Sequence, residues 1–229
     1  MTGAPGTGTA ATAEHAARMD RMYRYQRHIY DMTRKYYLLG RDRAIRELQV
    51  PKKGTLLEVG CGTGRNLLLA HRLYPQARLY GLDISAEMLA TTRANFRGKP
   101  AIPHLKTADA TDFRATDFGV DGFDRILISY ALSMIPDWEK AIDAALAALK
   151  PGGSLHIVDF GQQENLPGWF RTGLQAWLAR FHVTPRATLA EAIEARLAAH
   201  GADMMFQPLH GGYAWRAVIR RREDPAARS

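Results

Sequence analysis

The chain has 229 residues, 46% hydrophobic and 24% charged, an ordinary soluble composition with enough length for one sizeable core. Its 31 Lys and Arg against 23 Asp and Glu give a net charge of +8. A lone cysteine, Cys61, excludes an internal disulfide and with it a stapled secreted fold. The apolar run between Arg125 and Asp137 spans 11 residues, well short of the ~20 that cross a bilayer.

The start, MTGAPGTGTAATAEHAA, has neither the basic end nor the apolar stretch of a secretory signal. It reads as an unstructured Gly/Ala/Thr-rich segment over 1–13, and the chain as cytoplasmic. From Glu14 to Leu48 the pattern is helical and basic, with Met19, Met22, Tyr23, Ile29, Tyr30, Tyr36 and Tyr37 at mixed three- and four-residue spacings among arginines. Gly40 divides this stretch, leaving a second helix over Arg41–Leu48. Residues 18–53 carry 11 basic and four acidic side chains, so +7 of the net charge falls in one stretch. Such a face suits nucleic acid, an anionic membrane surface or an acidic ligand, or is simply a solvated helix face.

From residue 54 to the end, strands alternate with helices. Thr55–Val59, Arg78–Leu82, Pro103–Thr107, Asp124–Ser129 and Ser154–Val158 read as strands. Asn66–Tyr74, Ala86–Phe96, Trp138–Leu149 and Leu189–His200 read as helices, the second capped by Ser85, with a turn at Pro151-Gly152-Gly153. Residues 204–209 and 213–221 pair as a terminal antiparallel hairpin around His210-Gly211-Gly212. The expectation is an α/β, doubly wound, mostly parallel sheet. Residues 160–185 read as an amphipathic insertion into the domain at 54–229, and 14–53 as N-terminal helices acting as a lid or membrane dock.

Glu58-Val59-Gly60-Cys61-Gly62-Thr63-Gly64 follows a strand and opens a helix, so its glycines allow a tight turn and close backbone approach beside free helix amides. Asp83 ends the next strand, 19 residues past Gly64, a spacing that suits a carboxylate on ribose hydroxyls. The dinucleotide fingerprint is GxGxxG; here it is GxGxG, with an acid two residues ahead of the first glycine. Glu58 repels a pyrophosphate and suits a cationic amine, which points to a nucleoside carrying an amino-acid tail. Asp109, after the third strand, suits an adenine amino group.

Residues 54–160 resemble a class I S-adenosylmethionine-dependent methyltransferase in LLEVGCGTG, GLDIS, ADATDF, FDRILISYALSMIPD and LKPGGSLHIVDF. The resemblance implies a Rossmann-like, seven-stranded sheet and S-adenosylmethionine as cofactor, with no metal. It puts Glu58, Gly60, Cys61, Gly62, Gly64 and Asn66 around the amino-acid tail and Asp83 on the ribose. It puts Ile84 and Met88 beside the adenine, with Asp109, Ala110 and Thr111 at its edge, and Ser129 and Tyr130 near the sulfonium. Tyr36 and Arg41 join the cofactor set from the flank.

The stretch from Tyr23 to Arg43 resembles the bacterial betaine-lipid N-methyltransferases, which trimethylate the amine of diacylglyceryl-homoserine. A lipid head group at an anionic membrane surface is then the expected partner, with no nucleic acid, since no base-methylating N/D-P-P-Y/F motif follows the fourth strand. In Leu166–Phe181, Trp169, Phe170, Leu174, Trp177, Leu178 and Phe181 sit at helical spacings between arginines, as in an interfacial helix or a lid packed on the core. Tyr130, Asp159, Tyr30 and His210 are candidates to accept a proton or orient the acceptor, since an alkyl amine, pKa about 10.4, must lose its proton to attack. Other acceptors, phosphatidylethanolamine, a quinone or a small soluble molecule, remain open, because function lives in sites grafted on the fold.

Overall fold

A computed structural model describes residues 38–223. Seven strands, β1 (Thr55–Val59), β2 (Arg78–Asp83), β3 (His104–Thr107), β4 (Phe123–Ser129), β5 (Leu149–Phe160), β6 (Ala202–Leu209) and β7 (Ala214–Arg221), form one sheet in the order β3-β2-β1-β4-β5-β7-β6. The first five pair in parallel, while β7 runs antiparallel to both β5 and β6. Every residue of the central β1, TLLEV, is buried, as a parallel strand covered on both faces requires. The helices are α1 (Arg41–Arg46), α2 (Arg65–Leu73), α3 (Ala86–Asn95), α4 (Trp138–Ala147), α5 (Gly168–Arg180) and α6 (Leu189–Leu197).

Alternation along the strands sorts the core into two sides. Leu57, Val59, Ile126, Ile128, Leu155 and Ile157 face α4 and α6, packing on Ala141, Ile142 and Ile193. Leu56, Leu79 and Leu127 face the other way, onto Ile45, Leu67, Leu89 and Phe96 from α1, α2 and α3. A third cluster joins Leu38, Ala44, Tyr130, Val158 and Phe160 to Leu178 of α5 and to Leu209 and Tyr213 of the hairpin.

The residue pattern predicts a turn at 151–153 ahead of a short fifth strand; β5 instead starts at Leu149 and reaches Phe160. The cause lies in its neighbour. Phe123 pairs with Leu149 and Arg125 with Ser154, so two residues of β4 span five of β5 and the Pro-Gly-Gly segment bulges within one strand. Phe123 N also donates to the Ala148 carbonyl at 2.9 Å, drawing that carbonyl into the sheet, and α4 ends at Ala147 rather than Leu149. The second N-terminal helix stops at Arg46, where the carbonyls from Ile45 onward are claimed from outside. The Tyr74 hydroxyl lies 3.0 Å from the Ile45 carbonyl and 2.8 Å from that of Arg46, and Arg125 donates to Leu48 O at 2.7 Å and Gln49 O at 3.0 Å. Of the expected first helix, residues 14–37, with Tyr30 and Tyr36, lie outside the described residues, and Leu38, Leu39 and Gly40 form loop and turn instead of helix. Among the described residues no helix is long and apolar enough to cross a membrane.

Candidate active site

In this strand order the direction of winding reverses between β1 and β4, so the carboxyl ends of the strands open a crevice there. The glycine loop lies at its floor. Gly60 N and Cys61 N both donate to Leu82 O, at 2.9 and 3.0 Å, fastening the loop to the end of β2. Gly60, Gly62 and Gly64 have φ of 70°, 54° and 76°, the left-handed region that side chains disfavour. A Cβ on Gly64 would lie 2.5 Å from Thr92 Cγ2, whereas a Cβ on Gly62 would meet nothing within 4 Å. The space above Gly62 is therefore open.

Asp83 stands at the edge of that opening, 8% exposed. Gly62 N donates to its Oδ2 at 2.8 Å and Ser85 N to its Oδ1 at 2.9 Å, so the carboxylate is fixed in orientation while its oxygens keep further lone pairs. Glu58, 2% exposed on β1, accepts from Asn66 Nδ2 at 2.6 Å at the start of α2. Ile84 and Met88 follow Asp83 into α3, Met88 buried with its amide on Ser85 Oγ at 3.3 Å. Asp109 Oδ1 accepts both Thr111 N, at 2.9 Å, and Thr111 Oγ1, at 2.8 Å, which leaves Oδ2 for a ligand, with Ala110 buried beside it. Ser129 Oγ, at the end of β4, is buried without a hydrogen-bond partner. Open room over Gly62, three carboxylates at its margins and an orphan hydroxyl at the far wall fit a cationic nucleoside with an amino-acid tail, as S-adenosylmethionine is. Burial and the Glu58 and Asp83 carboxylates push the Cys61 thiol up, so Cys61 serves here through its backbone.

Tyr130 has φ 54° and is 2% exposed, and its hydroxyl donates to Leu39 O at 2.6 Å. Burial, then Asp159 and Tyr213, push its phenol well up, and its hydroxyl holds residues 38–39 by that hydrogen bond. Asp159 is 2% exposed, and both its oxygens take backbone amides, Oδ1 from Phe160 at 2.8 Å and Oδ2 from Ser133 at 3.2 Å. Burial pushes its carboxyl up, against the hydrogen bonds of Ser133 and Phe160 and the Arg186 charge, which pull it down. His210 sits exposed in the β6–β7 turn at φ 51°. With Leu38–Arg43 and Gln207–Leu209 it lines a cleft of about 540 Å³, which brings His210 and Arg41 together. Arg41 itself is 5% exposed, its Nε 3.5 Å from Asp42 Oδ1. Among the described residues no group of three or more His, Cys, Asp or Glu is placed to hold a metal ion.

Three residues that the sequence reading passes over shape the site. Thr92 Oγ1 donates to Gly62 O at 2.7 Å and Asn95 Nδ2 to Thr63 O at 3.0 Å, so α3 braces the glycine loop from behind. Their signal is helical spacing: both lie seven and ten residues beyond the Ser85 cap, on one face of α3. Arg186 grips the loop after β4 and has no local signal at all.

Residues 56–153 match the family model described as "Methyltransferase domain". Demethylmenaquinone methyltransferase of Listeria welshimeri is 29% identical over 136 residues, covering 59% of this chain and 56% of that protein. The 2-phytyl-1,4-naphtoquinone methyltransferase of Trichormus variabilis is 28% identical over 165 residues, 69% of this chain and 70% of that one. The chain thus spans a little over half the length of the first of these relatives. Among solved structures, the plantazolicin methyltransferase bound to a substrate analogue and SAH superposes with a TM-score of 0.67 at 14% identity, over 95% of this chain and all of that one, a likeness of fold. The strand order, the acid-edged glycine crevice and the family match fall together, and residues 56–153 carry a methyltransferase domain.

Proposed function

We propose that this chain transfers a methyl group from S-adenosylmethionine to a membrane-dissolved acceptor of the naphthoquinone kind. The observation that carries the acceptor is the likeness to proteins named for demethylmenaquinone and 2-phytyl-1,4-naphtoquinone, across 59% and 69% of the chain. When bound, S-adenosylmethionine supplies a methyl group on a positively charged sulfur, which a nucleophile displaces in line. The chain's own work is binding, orientation and water exclusion. Gly60–Gly64 and Asn66 receive the amino-acid tail, Asp83 the ribose and Asp109 the adenine edge. Tyr130, Ser133 and Asp159 set the wall on the acceptor side. The outward side of α5 supports an acceptor delivered from a bilayer: Trp169 is 79% exposed and Trp177 36%, and the helix holds Arg171 and Arg180 with no acid.

A second reading, the amine of diacylglyceryl-homoserine, rests on the tyrosine- and arginine-rich stretch 23–43, of which 38–43 are described. Purified chain with S-adenosylmethionine and vesicles bearing either acceptor, read by mass spectrometry, separates the two. Methyl gain on the quinone alone supports the first reading. Gain of up to three methyl groups on the amine alone replaces it with the second, and methylation of only soluble acceptors refutes both.

A further inference from the structure

The segment leaving α5 runs against the loop that follows β4. Val183 N donates to Leu178 O at 3.1 Å and Thr184 N to Ser133 O at 2.9 Å. Both Leu178 and Val183 are buried, at 1% and 7% exposure. Two residues on, Arg186 spreads its guanidinium across the same loop, Nε to Leu132 O at 3.0 Å and Nη2 to Ile135 O at 2.6 Å. Its central carbon lies 5.8 Å from the centre of the Trp138 ring, at the head of α4. On the other side of the loop Ser133 N donates to Asp159 Oδ2 at 3.2 Å. Contacts therefore run without a break from α5 through Arg186 and Ser133 to Asp159, and Tyr130 begins the loop they hold. The guanidinium's rigid planar fork presents separate N–H groups to the two carbonyls, whereas an ammonium is a compact point charge on a flexible stem that does not hold that geometry.

We infer that Arg186 is a positioning residue for methyl transfer, which grips the carbonyls of Leu132 and Ile135 to set the loop 130–135 on the acceptor side of the crevice and to tie it to α5. Seating an acceptor against α5 and ordering that loop are then one event. The inference rests on the methyltransferase reading above and adds the part that couples acceptor capture to the site. Its bonds fall on the loop after β4, and the glycine loop keeps its own braces, Thr92 and Asn95.

The test uses the full chain with Arg186→Lys, which keeps the charge and loses the fork, and Arg186→Gln, which loses both. In both variants amide exchange over 131–135 should quicken by about tenfold or more while β1 and β4 keep their protection. Calorimetric affinity for S-adenosylmethionine should stay within about threefold, and kcat should fall by about tenfold or more with the better acceptor, against a small change in its KM. Unchanged exchange at 131–135, or wild-type kcat in Arg186→Lys, overturns the proposal. So does faster exchange spread through the whole sheet, which makes Arg186 a general stability residue. If the unaltered chain methylates neither acceptor, the acceptor reading fails, and the exchange pattern alone decides the role of Arg186.

Discussion

Gly62 and Gly64 sit two residues apart in the same left-handed conformation, yet they should fail in different ways when given a methyl group. An alanine at either position takes on a backbone cost of about 1–2 kcal/mol. At Gly62 nothing else is met within 4 Å, so the stability loss ends there. At Gly64 the new Cβ lies 2.5 Å from Thr92 Cγ2 and 2.9 Å from Thr92 Oγ1. That crowding costs about 1–3 kcal/mol more. Moving Thr92 aside breaks its 2.7 Å bond to Gly62 O, worth about 1 kcal/mol. Gly64→Ala should therefore lose about 3–6 kcal/mol and Gly62→Ala about 1–2, with melting points lowered by roughly 10 °C and 4 °C for a chain of this size. Donor binding should rank otherwise. The open space over Gly62 is the donor's room, so Gly62→Ala should weaken S-adenosylmethionine by calorimetry about a hundredfold, well beyond what its small melting shift explains. Wild-type donor affinity in a folded Gly62→Ala chain would refute the placement of the donor over that glycine.

Other expectations concern stability, membrane attachment and turnover. Burial first, and then Arg125, Arg216 and Arg220, hold His156 down at about 3 from its usual 6.5, so it is neutral when folded. Unfolded histidine gains a proton below ~6.5, so stability drains as pH falls from 6.5 toward 3, by about 2 kcal/mol at pH 5. His156→Gln should flatten the pH 7 to pH 5 slope in urea melts by that amount, and parallel slopes would remove His156 as the cause. Alanines at both Trp169 and Trp177 should cut co-sedimentation with anionic vesicles several-fold in low salt; equal pelleting would make α5 a lid alone. Asp159→Asn puts an amide donor against Ser133 N or Phe160 N, costing about 1–3 kcal/mol. It should slow transfer while leaving donor affinity in place, and undiminished turnover would take Asp159 out of the acceptor wall.

The parts of this protein that show in its sequence are those whose cause is local. Thr55–Val59 reads as a buried strand because it is an unbroken apolar run closed by glycines, and β1 has those bounds. Ser85 reads as a cap, and its side chain accepts Met88 N. The glycine loop and Asp83 are legible for the same reason: they are consecutive strand ends in one winding. The surroundings of Tyr130 are not, because their bonds join residues far apart in the chain. Tyr130 looks like a free hydroxyl at a strand end until the carbonyl of Leu39, 91 residues earlier, accepts its hydrogen bond. Arg186 looks like a loop arginine until two carbonyls more than 50 residues back meet it. The bulge at 151–153 is set by Phe123 on the neighbouring strand, and no local pattern encodes that register.

The net charge of +8 divides along similar lines. In the described part of the basic N-terminal stretch, Arg43 pairs with Glu47 at 2.7 Å, Arg41 lies 3.5 Å from Asp42, and Glu47 also takes Arg216 at 2.6 Å. These charges fasten α1 to the sheet and to its own acids, so they add little to a field felt at a distance. An anionic surface is met instead by cations without such partners. Among the described residues Arg171 and Arg180 on acid-free α5 make no ion pair, and they lie on the same helix as the exposed Trp169 and Trp177. The donor crevice carries the opposite sign, Glu58, Asp83 and Asp109, as a cationic cofactor requires. Acid inside the crevice and base on α5 keep the two charge sets electrostatically apart: salt that screens an exposed face over about 8–10 Å barely reaches a buried carboxylate. The same separation explains why composition points to a partner and the glycine loop to a cofactor without either naming the other.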